Sequence, residues 1–170
     1  CLECSEYTPR SNQYFANNVD LKIDNSNPLF NTFIEIDSVN TNFYNVTNFN
    51  LINVTLRDTL FIKSEFQGGK LNKDNFDLSL FYTIDKDNKS VVGFKKSGVR
   101  FKENDWVINE NRDRQNKITF DRNFKEFDIS EIVMSHLDEE IELAGEIRDS
   151  TYKNIRLNFK DVDLNKITPR

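Results

Sequence analysis

Apolar and polar residues alternate along most of this chain. From Ile52 to Phe66 every second residue is apolar, apart from Asp58 and Ser64. Ile52, Val54 and Leu56 point one way and Asn53, Thr55 and Arg57 the other, as the two-residue period of a strand requires. Arg57-Asp58-Thr59 interrupts the run, and Leu60 and Ile62 resume it. Gln67-Gly68-Gly69-Lys70 is the strongest turn signal, because glycine accepts positive φ. Asn75 to Ile84 is the clearest strand. Phe76, Leu78, Leu80, Tyr82 and Ile84 share one face, and Asp77, Ser79 and Thr83 the other, with Phe81 the exception. Asp85 to Ser90 reads as a hairpin loop and Val91 to Lys95 as the returning strand.

The pattern continues in shorter pieces. Trp106 and Ile108 mark a short strand, and residues 110–117 form a charged loop. Ile118–Phe120 and Phe127–Ile129 bracket another turn. Residues 131–149 fit either a helix through Ile132, Val133 and Leu137 or two strands. The strands would use Ile132, Met134 and His136, then Ile141, Leu143, Gly145 and Ile147. Alternation in the second half favours strands and places Met134 and His136 at a core edge or groove. Ile155, Leu157 and Phe159 form a last row, with Val162 and Leu164 in another register. Residues 1–28 are weakly patterned. Tyr7, Tyr14, Phe15 and Leu21 anchor them loosely, Leu21 and Ile23 suit a short strand, and Asn25–Pro28 signals a turn. Residues 29–39 are a second candidate strand. The sum is an all-β chain of about ten to twelve strands, each of about four to nine residues, arranged as a meander. Residues 1–40 form a weakly patterned stretch and residues 41–170 the main β segment.

Composition sharpens this reading. The apolar share of the 170 residues is 37%, below the roughly 45–50% of ordinary globular domains. Fifteen phenylalanines nevertheless argue against disorder. The net charge is −5, from 28 acidic and 23 basic residues. No basic stripe stands out, and Arg57, Lys63, Lys70 and Lys73 do not interleave with aromatics. No nucleic-acid partner is expected. Cys1 and Cys4 are too few for a disulfide framework, and with His136 they make no zinc set. A cysteine at position 1 fits a processed lipoprotein, but no signal segment accompanies it; a fragment beginning there is the expectation. No apolar run reaches the roughly 18 residues of a membrane helix.

Catalytic chemistry finds no motif. Asp85, Asp87, Asp105, Asp113, Asp138, Glu139 and Glu140 fall in turn-like stretches, where solvated charge is the default. No strand carries an acid among the apolar neighbours of its inner face, as a glycosidase pair would ask. Asp85 and Asp87 suggest a calcium loop, but Lys89 and Ser90 replace the needed oxygens. The glycines of residues 67–70 and 93–98 have neither phosphate-loop nor dinucleotide spacing. No enzyme activity, cofactor or metal is expected. Asn45-Val-Thr and Asn53-Val-Thr match the glycan acceptor triplet; an Asn-rich chain also makes such triplets by chance.

Two architectures fit the alternation equally. A closed β-sandwich buries its apolar rows between two sheets about 10 Å apart. A single curled sheet leaves an apolar trough. From about Phe43 to Pro169 the chain resembles the translocation and assembly module family TamB in its Bacteroidetes form, within the AsmA-like, bridge-like lipid transfer group. The resemblance rests on residues 51–69, 75–101, 106–110, 118–164 and 165–169. They combine strand pairs, a Trp-Val-Ile strand, an acidic hairpin, and Gly145-Glu-Ile-Arg-Asp-Ser150 before the strand at Leu157-Asn-Phe-Lys-Asp-Val162.

The resemblance implies an elongated β-taco with an apolar groove, one section of a periplasm-spanning envelope protein. The parent would be anchored in the inner membrane and meet an outer-membrane barrel of the BamA/TamA type. Phospholipid acyl chains would be its cargo. This chain departs from the family in lacking the anchor helix and most of the length, so a middle section is expected. The lining expected on that basis is Ile52, Val54, Leu56, Leu60, Ile62, Phe76, Leu78, Leu80, Tyr82, Ile84, Leu143, Ile147, Leu157 and Phe159. Two other readings stand beside it. One is a scaffold offering strand edges to nascent outer-membrane β-proteins. The other is a closed sandwich binding glycan through an exposed Trp106 beside Asn104 and Asp105.

Overall fold

The computed structural model describes residues 15–24, 31–41, 44–149 and 151–164. Among these residues twelve strands run in chain order: β1 (Phe15–Asp24), β2 (Asn31–Asn40), β3 (Asn45–Leu56), β4 (Thr59–Gly68), β5 (Asp74–Ile84), β6 (Ser90–Phe94), β7 (Ser97–Phe101), β8 (Asn104–Ile108), β9 (Lys117–Phe120), β10 (Glu126–His136), β11 (Glu139–Arg148) and β12 (Tyr152–Lys160). One 3₁₀ turn, Lys70–Asn72, follows the Gly68-Gly69 signal. Residues 131–149 are two strands, as their alternation requires. Cys1, Cys4, Tyr7, Tyr14 and the Asn25–Pro28 turn lie outside the described residues.

All twelve strands belong to one elongated antiparallel sheet, in the order β1-β2-β3-β4-β5-β6-β9-β10-β11-β12. The meander is broken once. β7 and β8 leave the path as a hairpin that pairs with β5 on one side and β10 on the other. β5 therefore has two partners end to end, β7 along Asn75–Asp77 and β6 along Leu80–Ile84. β10 is shared likewise, by β9 along Phe127–Ile129 and β8 along Met134–Ser135.

Such a seam leaves backbone groups without ladder partners, and buried amides and carbonyls must find others. Buried polar side chains supply them. Ser97 Oγ accepts the Ser79 N–H at 2.9 Å. Asn109 Nδ2 donates to the Phe94 carbonyl at 2.6 Å, and its Oδ1 accepts the Asp113 N–H at 2.6 Å. Asn116 Oδ1 accepts the Val133 N–H at 2.9 Å. These three side chains are among the most buried polar groups described.

Two local devices fix the register. Leu56 lies opposite Thr59, so β3 and β4 join through the two-residue turn Arg57-Asp58, with Arg57 at φ 55. In β10, Ile129 pairs with Gly145 and Ile132 with Leu143. The extra residue between them is a β-bulge, which shifts the alternation by one position.

Apolar burial is sparse. Among the described residues only Val91, Trp106 and Ala144 are buried apolar side chains. Leu78, Leu80 and Tyr82, the rows a sandwich would seal, are each half-buried.

Candidate functional site

Residues directly opposite each other in an antiparallel pair project from the same face of the sheet. The registers therefore trace one face across the molecule. From β4 to β5, Leu60 faces Tyr82, Ile62 faces Leu80 and Phe66 faces Phe76. From β5 to β6 and β9, Tyr82 continues to Val92 and on to Ile118. Ile118 meets Ile129 and Phe120 meets Phe127 on β10. Phe127 leads to Ile147, Ile132 to Leu143 and Met134 to Ile141. Leu143 and Ile141 end at Leu157 and Phe159 on β12. The bulge matters here, because it holds both Ile129 and Ile132 on this face.

Eleven of the fourteen expected lining residues lie on this apolar face: Leu60, Ile62, Phe76, Leu78, Leu80, Tyr82, Ile84, Leu143, Ile147, Leu157 and Phe159. Ile52, Val54 and Leu56 do not join them. They lie opposite Lys63, Phe61 and Thr59, on the other face, and are 46%, 47% and 59% exposed. The expectation of one shared row is corrected by a single residue. A three-residue interruption, Arg57 to Thr59, would align Leu56 with Leu60. The two-residue turn aligns it with Thr59, and a slip of one position moves a whole row to the opposite side. Phe81 also lies on that other face, opposite Phe61 and Gly93. Lys95 Nζ sits 4.1 Å from the centre of the Phe61 ring.

Sequence reasoning left out much of the apolar face: Phe49, Phe66, Val92, Val99, Ile118, Phe120, Phe127, Ile129 and Ile141. Aromatic contacts tie several together. Phe66 is 5.9 Å from Phe49 and stacks on Phe76 at 4.4 Å. Phe120 stacks with Phe124 at 5.2 Å and Phe127 at 5.6 Å. Period-two counting carried through β9 and the bulge would have found the later members.

The two ends of the face differ. At one end Phe76 pairs with Val99 and Val99 with Trp106. Trp106 is 1% exposed, with the His136 ring 5.3 Å away. His136 Nδ1 lies 2.5 Å from the Asp105 carbonyl oxygen. An exposed Trp106 platform for glycan is therefore overturned: the indole is shut from solvent. Asp74 braces this end. Its Oδ2 accepts the Tyr44 hydroxyl at 2.8 Å and its Oδ1 the Lys102 N–H at 3.1 Å. Burial first, then the hydrogen bond and charge of Asp74, push the Tyr44 hydroxyl well above the usual tyrosine range. Nearby, the Arg100 guanidinium beside Asp105 holds that carboxyl below its ordinary value, and Lys73 does the same for Glu103.

Other expectations resolve as follows. Asn53 lies opposite Ile62 on the apolar face, is buried, and its Oδ1 accepts the Thr32 N–H at 2.7 Å. It does not stand on a polar face as glycan attachment would require. Asp85 Oδ1 accepts the N–H groups of Asp87 and Lys89, each at 2.9 Å, so this loop is a carboxylate-capped turn. A cleft of about 660 Å³ opens where the β8–β9 and β10–β11 loops meet, lined by Glu110, Asp113, Glu131, Asp138, Glu139 and Glu140 among others. Among the described residues no group of three or more His, Cys, Asp or Glu is placed to hold a metal ion. Among them, too, no helix is long and apolar enough to cross a membrane.

Compared with protein-family models, with curated proteins and with solved structures, the chain gives no match.

Proposed function

We propose that this chain is a section of a TamB-like, AsmA-like envelope protein, a β-taco whose apolar face carries phospholipid between inner and outer membranes. The observation that carries the reading is the continuous apolar face itself. It runs from β4 to β12, yet only three apolar side chains among the described residues are buried. A sheet whose oily side is left half-covered suits a hydrocarbon guest. Each methylene moved from water onto such a wall gains about 0.8 kcal/mol, so a tail is held without specific polar contacts. Many similar Ile, Leu, Val and Phe side chains along the way favour movement over capture. On this reading the face is the concave side of a curl, in which neighbouring rows shelter one another. The periplasm, an inner-membrane anchor and an outer-membrane barrel of the BamA/TamA type belong to the proposed parent. The mechanism is passive solvation, with no covalent step.

The test is mass spectrometry of an organic extract of the chain purified from a bacterial host. Phospholipid above the level of a control β-protein is expected. A lipid content equal to the control would overturn the reading.

One observation favours a second reading, a scaffold for nascent β-proteins. β12 is exposed along its whole length and, among the described residues, has a partner on one side only, β11. An unfolded outer-membrane β-strand peptide should then slow hydrogen exchange at β12 amides. Unchanged exchange would end that reading.

A further inference from the structure

We propose that Lys102 and Trp106 form a head-group site at the closed end of the apolar face, receiving the anionic oxygens of an amphiphile whose tail lies along that face. This rests on the lipid-carrying reading above and adds the chemistry of the ligand's polar end.

Trp106 belongs to the apolar face through its pairing with Val99, and Val99 through its pairing with Phe76. Phe101, two residues beyond Val99 on β7, shares that face. Lys102 Nζ lies 5.7 Å from the centre of the Phe101 ring. Lys102 Nζ and Trp106 Nε1 are both shut from solvent, and neither has a hydrogen-bond partner among the described residues. Buried polar groups are ordinarily paired, and a buried charge costs far more when it is not.

The nearby carboxylates are already committed. Asp74 takes the Tyr44 hydroxyl and the Lys102 main-chain N–H. Glu103 pairs with Lys73 at 2.5 Å, and Asp105 takes both Nε and Nη2 of Arg100. An ammonium and an indole N–H can only donate. Their complement is therefore an acceptor, and the positive charge selects an anion. Val99 lies opposite Trp106, Phe76 opposite Val99, and the Phe101 ring lies near Lys102 Nζ, so the rest of the ligand is hydrocarbon. A carboxylate or phosphate head on an alkyl chain meets all three conditions.

Trp106 is the only tryptophan of the chain, so its fluorescence reports this site alone. The wild-type chain is titrated with oleate, oleoyl lysophosphatidate, oleyl alcohol and inorganic phosphate. The two anionic amphiphiles should shift the emission saturably and bind at least about tenfold more tightly than the alcohol, as a charge-assisted hydrogen bond implies. Lys102→Gln keeps the main-chain bond to Asp74 and should bring them to the alcohol's affinity. Lys73→Gln, at an exposed ion pair, should not. Equal affinity of wild-type protein for oleate and oleyl alcohol would overturn the head-group site and leave the apolar carrier standing. No shift with any amphiphile would overturn both. Phosphate binding as tightly as lysophosphatidate would mark a free-anion site and overturn the amphiphile assignment. The wild-type comparison decides the matter even where Lys102→Gln fails to fold.

Discussion

Ile129 and Ile132 stand three residues apart on one strand and project from the same face of the sheet, opposite Gly145 and Leu143. An unbroken strand would send them to opposite faces. The bulge between them is what lets β10 to β12 continue the apolar face of β4 to β9. Deleting Glu131 restores simple alternation and forces Ile132, Met134 and His136 to the wrong side. We predict a loss of more than about 3 kcal/mol, or failure to fold. Ser130→Ala, at an exposed position, should stay within about 0.5 kcal/mol of wild type. Urea unfolding followed by circular dichroism checks both.

Asn116→Ala should destabilise through the seam. It leaves the Val133 N–H, now bonded to Asn116 Oδ1 at 2.9 Å, without an acceptor. The expected cost is about 1–3 kcal/mol, seen as a lower urea midpoint at unchanged slope.

Gly145→Ala tests the backbone opposite the bulge. Gly145 has φ 143, and a Cβ there would meet the Asn154 carbonyl oxygen at 2.1 Å. Both features oppose a side chain, so the loss should exceed about 1 kcal/mol. A thermal midpoint equal to wild type would contradict the local geometry.

Tyr44 should ionise above the usual tyrosine range. Its raised folded-state pKa favours the neutral phenol. The linked stability is fully present below the ordinary tyrosine value of about 10. It is lost as pH rises through the raised folded value. An alkaline titration of tyrosinate absorbance should show a lagging component that disappears in Tyr44→Phe.

Leu80→Asp and Val54→Asp separate the two faces. Leu80 lies on the apolar face and Val54 on the other. If lipid rides the apolar face, Leu80→Asp should lower copurifying phospholipid at least about fivefold, since a buried unpaired charge is costly. Val54→Asp should leave it unchanged. The reverse pattern would show that lipid lies on the face of Ile52, Val54 and Leu56.

The strands were largely legible because period-two alternation is a local property. β5 could be read residue by residue, including Phe81 as the exception to its face. What escaped depends on counting through irregularities. Whether Thr59 belongs to the turn or to β4 decides the side of Ile52, Val54 and Leu56, and Arg57-Asp58-Thr59 does not declare it. β7 escaped for another reason: Ser97–Phe101 has few apolar residues, and its place depends on long-range pairing with β5. The burial of Asn53 was likewise hidden, because its partner is the Thr32 amide one strand away. Trp106 looked like a platform beside polar neighbours, and only the approach of β10, with His136, encloses it.

The seam between β5 and β10 has a mechanical consequence. Two short ladders standing end to end need not share one twist, so the curvature of the sheet can differ between its halves. Trp106 is sealed in one half, while Phe124, beside Phe120 at the far end of the other, is 66% exposed. Solvent therefore reaches the apolar face at Phe124 but is shut out at Trp106, so the two ends of one continuous surface differ in access.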